Sequence, residues 1–191
     1  MKRVFLIGDS IRIGYCQQVA QLMEDRAQVQ WPADNCRFAK NILASVHHWA
    51  DTAGEPEKID VVHWNCGHHD IARFGCLTDN LSTPEEYRRD LYRIHECLKG
   101  TFPNAKQIFA LTTPIRASME HLHSHTTAEV MAYNQVAQEV MADVGVPVND
   151  LFSVIKALPE EVYHDRCHFE ADGSMALAQK VVLEIDKLLT K

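Results

Sequence analysis

Three short apolar runs, residues 4–7, 61–64 and 108–111, are separated by segments with the 3.6-residue period of helices. Runs of this kind suit strands buried on both faces, which a parallel sheet covered by helices provides. A weaker strand is expected around 27–31 and a short one at 146–148. The segment 12–25 carries Ile13, Cys16, Val19, Ala20 and Met23 at helical spacing, and a second helix covers roughly 39–49. Residues 84–99 place Tyr87, Leu91, Ile94 and Leu98 on one face. That helix opens with Thr83-Pro84-Glu85-Glu86, a capping box with proline at the first helical position. Thr126-Thr127-Ala128-Glu129 is a second box, heading a helix with Val130, Tyr133, Ala137, Val140 and Val144. The last helix runs from about 171 to 189, with Met175, Ala178, Val182, Ile185 and Leu189 inward. Residues 73–83 and 117–125 read as loops. The alternation predicts an α/β fold with helices on both faces of the sheet.

Ligands of such sheets bind beyond the carboxyl ends of the strands. The segments that fall there are 8–11, 65–75, 112–124 and 159–170. A length of 191 residues suits one domain spanning 1–191. The net charge of −7 argues against a nucleic-acid partner, and no apolar stretch is long enough to span a bilayer. The run at 4–7 stops at Gly8-Asp9, too short for a signal-peptide core, so a cytoplasmic location is expected. The six cysteines form no C-x-x-C pair. Reduced, mostly buried thiols are expected rather than a disulfide framework.

Three segments carry chemistry. Gly8-Asp9-Ser10 follows the first strand, where a hydroxyl is exposed at the sheet edge beside the unpaired amides of a helix start. Taken alone, it equally suits a simple helix cap. Asp165-Arg166-Cys167-His168 places a carboxylate three residues before an imidazole. The carboxylate can fix the tautomer and leave Nε2 for a serine. Asn65-Cys66-Gly67-His68-His69-Asp70 follows the third strand and can aim a donor at the same place, or form a polar turn with Gly67 at positive φ.

Together these resemble the blocks of the SGNH, or GDSL-type, hydrolase superfamily. Gly8-Asp9-Ser10 matches its first block, Gly67-His68-His69-Asp70 stands at its G-x-N-D block, and Asp165 to His168 followed by Gly173 matches its D-x-x-H block. Leu111-Thr112-Thr113-Pro114, and Tyr133-Asn134 through Asn149-Asp150-Leu151, look like corresponding family segments. The resemblance implies a flavodoxin-like three-layer α/β/α sandwich with about five parallel strands. It also implies a cofactor-free serine esterase acting on a small-molecule ester, with short acyl groups, often acetyl and often on carbohydrates. By position, Ser10 is the nucleophile, His168 the general base and acid, and Asp165 its orienter. The implied oxyanion hole uses Ser10, a second-block amide aligned at Arg37, and the side chain of His69. Asp9, Gly67, His68 and Asp70 are expected around the substrate. Two departures stand out: His69 replaces the family asparagine, and Arg37 replaces the second-block glycine.

Other readings share these residues. A thioesterase or lysophospholipase would use the same triad with a long apolar channel, of which the sequence gives no sign. Trp31, Trp49 and Trp64 are scattered. A drifted carbohydrate- or acyl-binding module would keep the fold without the chemistry. A zinc hydrolase would draw on His63, His68, His69 and Asp70, or on His164 and His168. The loop position of the last pair favours the serine assignment, with no metal. Cys66 and Cys167 flank the site in packing roles. His47 and His48, and the group His121, His123 and His125, read as solvated, with the second group alternatively rimming the pocket.

Overall fold

The computed structural model describes residues 1–76, 78–122 and 124–190. Strands β1 (Lys2–Ile7), β2 (Ala27–Gln30), β3 (Val61–Trp64), β4 (Lys106–Ala110) and β5 (Val148–Asn149) form one sheet. The order is β2-β1-β3-β4-β5, all parallel, the doubly wound flavodoxin-like order. Val4, Phe5, Leu6 and Ile7 are fully buried, as are all four residues of β3, so the central strands are covered on both faces.

Helices α2 (Ala39–Ala53), α4 (Pro84–Thr101) and α5 (Thr127–Val144) close one face over Phe5, Val62 and Phe109. Helices α1 (Ser10–Leu22), α6 (Leu151–Lys156) and α7 (Ala171–Leu189) close the other over Val4, Leu6 and Ile108. Both capping boxes form: Thr83 Oγ1 accepts from the Glu86 amide and Thr126 Oγ1 from the Glu129 amide, each glutamate returning the bond to its cap.

In α1 and at its carboxyl cap, Cys16, Val19 and Met23 are buried as expected, and the departures are the helix start and the exposure of Ile13. Asp9 caps this helix by accepting from the Ile11 amide at 3.0 Å, so it starts at Ser10. Its buried stripe is Ile11, Tyr15, Cys16 and Val19, and Ile13 is 44% exposed. Arg12 is buried and donates to the carbonyls of Gly8 and Asp34. Smaller corrections concern Met175, which is half-buried, and β5, which covers 148–149 rather than 146–148; Leu189 is half-buried but packs against the core as expected. The short helix α3 (His68–Ile71) lies inside the segment read as a turn.

Two glycines bring the site loops together. A Cβ on Gly8 would sit 2.0 Å from Asn65 Oδ1, so the loop after β1 closes on the loop after β3 only without a side chain there. Gly67 has φ 155°, and a Cβ would meet Thr112 Oγ1 at 2.0 Å.

Candidate active site

Ser10 is the first residue of α1, so its amide has no acceptor within the helix. Its Oγ lies 2.7 Å from His168 Nε2, across 158 positions of sequence. His168 Nδ1 lies 2.8 Å from Asp165 Oδ2. Asp165 Oδ1 accepts from the amides of Cys167 at 2.9 Å and His168 at 2.8 Å. Partial burial disfavours the charged carboxylate, but these two amides and the imidazole outweigh it and hold Asp165 well below the usual range. An ionised Asp165 can only accept, so His168 carries its proton on Nδ1. Nε2 is then the acceptor, and the Ser10 hydroxyl donates to it.

This chain borders a cleft of about 210 Å³. His68, His69, Phe74, His125 and Arg166 line its other sides. His69 sits on α3 with its ring stacked 6.4 Å from Phe74 at 13°. Burial pushes its pKa down; Arg37 and His168 push the same way, against an opposing pull from Asp9. A neutral imidazole keeps one N–H to donate.

Arg37 has φ 55°, the left-handed conformation where glycine is the usual residue. The Arg37 amide donates to Asn35 Oδ1 at 2.9 Å, so an oxyanion could use the amide only by displacing Asn35. Arg37 lines a separate polar cavity with Asp34, Asn35, Asn41, Ser45 and Trp49.

Of the four residues expected around the substrate, only His68 lines the cleft. Asp9 is fully buried as the cap of α1, and burial raises its pKa against the influence of His69, Asn65 and the Ile11 amide. Gly67 faces Thr112. Asp70 is fully buried and accepts from the first amide of α2, Ala39, at 3.0 Å, tying α3 to the loop that carries Arg37. Its short side chain is committed to that helix start rather than to the cleft.

His125, grouped in sequence with solvated histidines, is 2% exposed. Its Nε2 lies 3.0 Å from His68 Nδ1 and its Nδ1 3.2 Å from Ser124 Oγ, while His68 Nε2 lies 3.1 Å from Thr113 Oγ1. His121, His47 and His48 are exposed, and His123 lies outside the described residues.

The histidines of the zinc reading are split. His63 is buried against Tyr15, with Asn149 Nδ2 donating to its Nε2 at 3.1 Å. His164 pairs with Glu170. Among the described residues, Asp165, Cys167 and His168 are the one group of three possible ligands, and two of these already bond the Ser10 chain. Burial raises the Cys66 thiol well above its ordinary value and pushes Cys167 to about 12, where Asp165 adds to the shift. Both are poor nucleophiles near neutrality.

No family model matches the sequence, and no curated protein matches it. Solved structures do. A lipase/acylhydrolase from Enterococcus faecalis superposes with a TM-score of 0.75 at 23% identity, covering 98% of this chain and 96% of that one. An acetyl xylan esterase gives 0.77 at 16% identity, covering 96% and 99%. A GDSL-like lipase from Bacteroides thetaiotaomicron VPI-5482 gives 0.74 at 14% identity, covering 97% and 88%. The chain has the three-layer α/β/α fold of the SGNH/GDSL-type hydrolases.

Proposed function

We propose that the protein is a carboxylic ester hydrolase that works through an acyl-Ser10 intermediate on short-chain, acetyl-sized esters. The observation that carries this reading is the unbroken chain from Ser10 Oγ through His168 to Asp165, bordering a cleft. Neutral His168 takes the Ser10 proton as Oγ attacks the ester carbonyl. The tetrahedral oxyanion is stabilised by the Ser10 amide and the His69 N–H, and by the Arg37 amide once Asn35 gives way. His168 returns the proton to the leaving alcohol. Water then attacks the acyl-enzyme with His168 again as base. These steps need no cofactor or metal.

The size of the cleft supports a short acyl group over the long chain of a lysophospholipase. An esterase of the same fold acts on acetyl xylan by its name, which supports carbohydrate esters as first substrates to try. The soluble cytoplasm is the proposed location; no helix among the described residues is long and apolar enough to cross a membrane.

The test is Ser10→Ala assayed on 4-nitrophenyl acetate, with a fluorophosphonate probe on the wild type. The expected result is loss of turnover by about 10³–10⁶-fold and a covalent adduct at Ser10. Undiminished turnover in the variant overturns the mechanism. A protein that binds acetylated sugar but takes no label at Ser10 is a binding module.

A further inference from the structure

The arginines of this protein are paired almost without exception. Arg3, Arg26, Arg73, Arg88, Arg89, Arg93 and Arg116 each have a carboxylate within 4.0 Å. Arg12 is buried among backbone carbonyls. Among the described residues only Arg37 and Arg166 are exposed without a carboxylate within 4.0 Å; Arg166 stands in the Ser10 cleft, whereas Arg37 lines a separate polar cavity that also holds Asp34.

Arg166 lines the cleft itself. Its position is fixed at both ends: Nη1 donates to the Leu122 carbonyl at 2.6 Å, and its own carbonyl accepts from the Arg116 amide at 2.9 Å. That uses one of five guanidinium N–H groups. Arg37 follows Cys36, whose amide bonds the Gly8 carbonyl, and it is near enough to His69 to disfavour that ring's protonation.

The acids nearby are bonded to groups other than the Arg166 guanidinium, and Asp34 lies in the Arg37 cavity, where it accepts from Trp49. Asp165 is the one carboxylate lining the cleft, and both its oxygens are engaged by His168 and the Cys167 amide. Asp9 is sealed beneath the surface. Glu160 is held by Arg116 and Ser118, Glu129 by Arg73, and Glu170 by His164. A chain of net charge −7 thus leaves an exposed guanidinium group without an ion-pair partner, that of Arg166, in the same cleft as Ser10. Arginine forks suit carboxylate and phosphate oxygens, and an unpaired cation at a cleft attracts them.

We infer that the substrate is an anionic ester, one bearing a carboxylate or similar oxyanion near the scissile bond, and that Arg166 is the residue that selects it. This rests on the serine-esterase reading and narrows its substrate class.

The experiment compares matched esters on the wild-type protein and on Arg166→Gln. One arm puts the charge on the acyl half, 4-nitrophenyl hydrogen adipate against 4-nitrophenyl hexanoate. The other puts it on the alcohol half, 4-carboxyphenyl acetate against 4-methoxycarbonylphenyl acetate. The wild type is expected to favour the anionic member of at least one pair by about tenfold in kcat/KM, the scale of one charge-assisted hydrogen bond. In Arg166→Gln that ratio is expected to fall toward one, mainly through KM. The arm that responds identifies the half that carries the charge. Raising salt from 0.05 to 0.5 M is expected to erode the wild-type preference, which tests the inference without any variant. Hydrolysis that depends on Ser10 but shows no anionic preference in either arm overturns this inference and leaves the esterase reading standing. Hydrolysis independent of Ser10 removes the esterase reading itself.

Discussion

At the scale of single residues, the site divides by how far each group's partner lies along the chain. Asp165 and His168 are three positions apart, and the loop between them supplies both amides that keep the carboxylate charged. That geometry is local, so it was legible in the sequence. Asp165→Asn is expected to lower kcat by about 10⁴-fold, because an amide can hold the imidazole in the wrong tautomer. Stopped-flow acylation with an activated ester measures this directly. His69 makes a sharper test of the oxyanion hole. His69→Asn is expected to stay within about tenfold of the wild type, whereas His69→Ala loses about 10²–10³-fold in kcat. Equal losses in the two variants would remove the donor role. Asn35 and His125 were illegible for the opposite reason. Nothing about an isolated asparagine says that its oxygen will occupy the Arg37 amide, and nothing in a histidine-rich loop says which ring turns inward.

At the scale of elements, the apolar runs and capping boxes located the strands and long helices because each is a local signal. Cys16 and Val19 of α1, and Met23 at its end, are buried as their spacing implies, while Ile13 is exposed because the helix begins at Ser10 under the Asp9 cap and adds Ile11 and Tyr15 to the buried side. Helix α3 is four residues long, too short to show a period. What holds it in place is a tertiary bond, Asp70 to the Ala39 amide, which no spacing reveals. Gly8→Ala is expected to destabilise the fold by about 1–3 kcal/mol, since the new methyl must push Asn65 aside. A urea titration checks this, and the same displacement is expected to lower esterase activity in the fraction that remains folded.

For the whole molecule, two buried titrating groups oppose each other as pH changes. Burial pushes His63 down to about 4. Between there and the ordinary histidine range the unfolded chain holds the proton and the folded one does not, so this group makes stability rise with pH. Burial raises Asp70 to about 7, against the Ala39 amide, Lys40 and Ser82. From the ordinary carboxylate range up to about 7 the folded chain holds that proton, so Asp70 makes stability fall as pH rises. The two slopes offset one another between about pH 4 and 6.5. Asp70→Asn removes one of them. The variant's urea midpoint is expected to climb more steeply than the wild type's over that window, whatever the change in its absolute value. The topology was legible at this scale because parallel strands joined by helices admit few arrangements. The electrostatic balance was not, since it depends on which polar groups the finished core encloses.

Ser10 and His168 lie 158 positions apart, on segments whose helices α1 and α7 pack together. Ser10 therefore meets His168, its base in the proposed mechanism, only when the two ends of this long stretch dock. During refolding from urea, fluorophosphonate reactivity should lag behind the recovery of helical circular dichroism, because local helices form before distant contacts close. The serine becomes a clock for topological closure, timing the moment when the first and last helices meet.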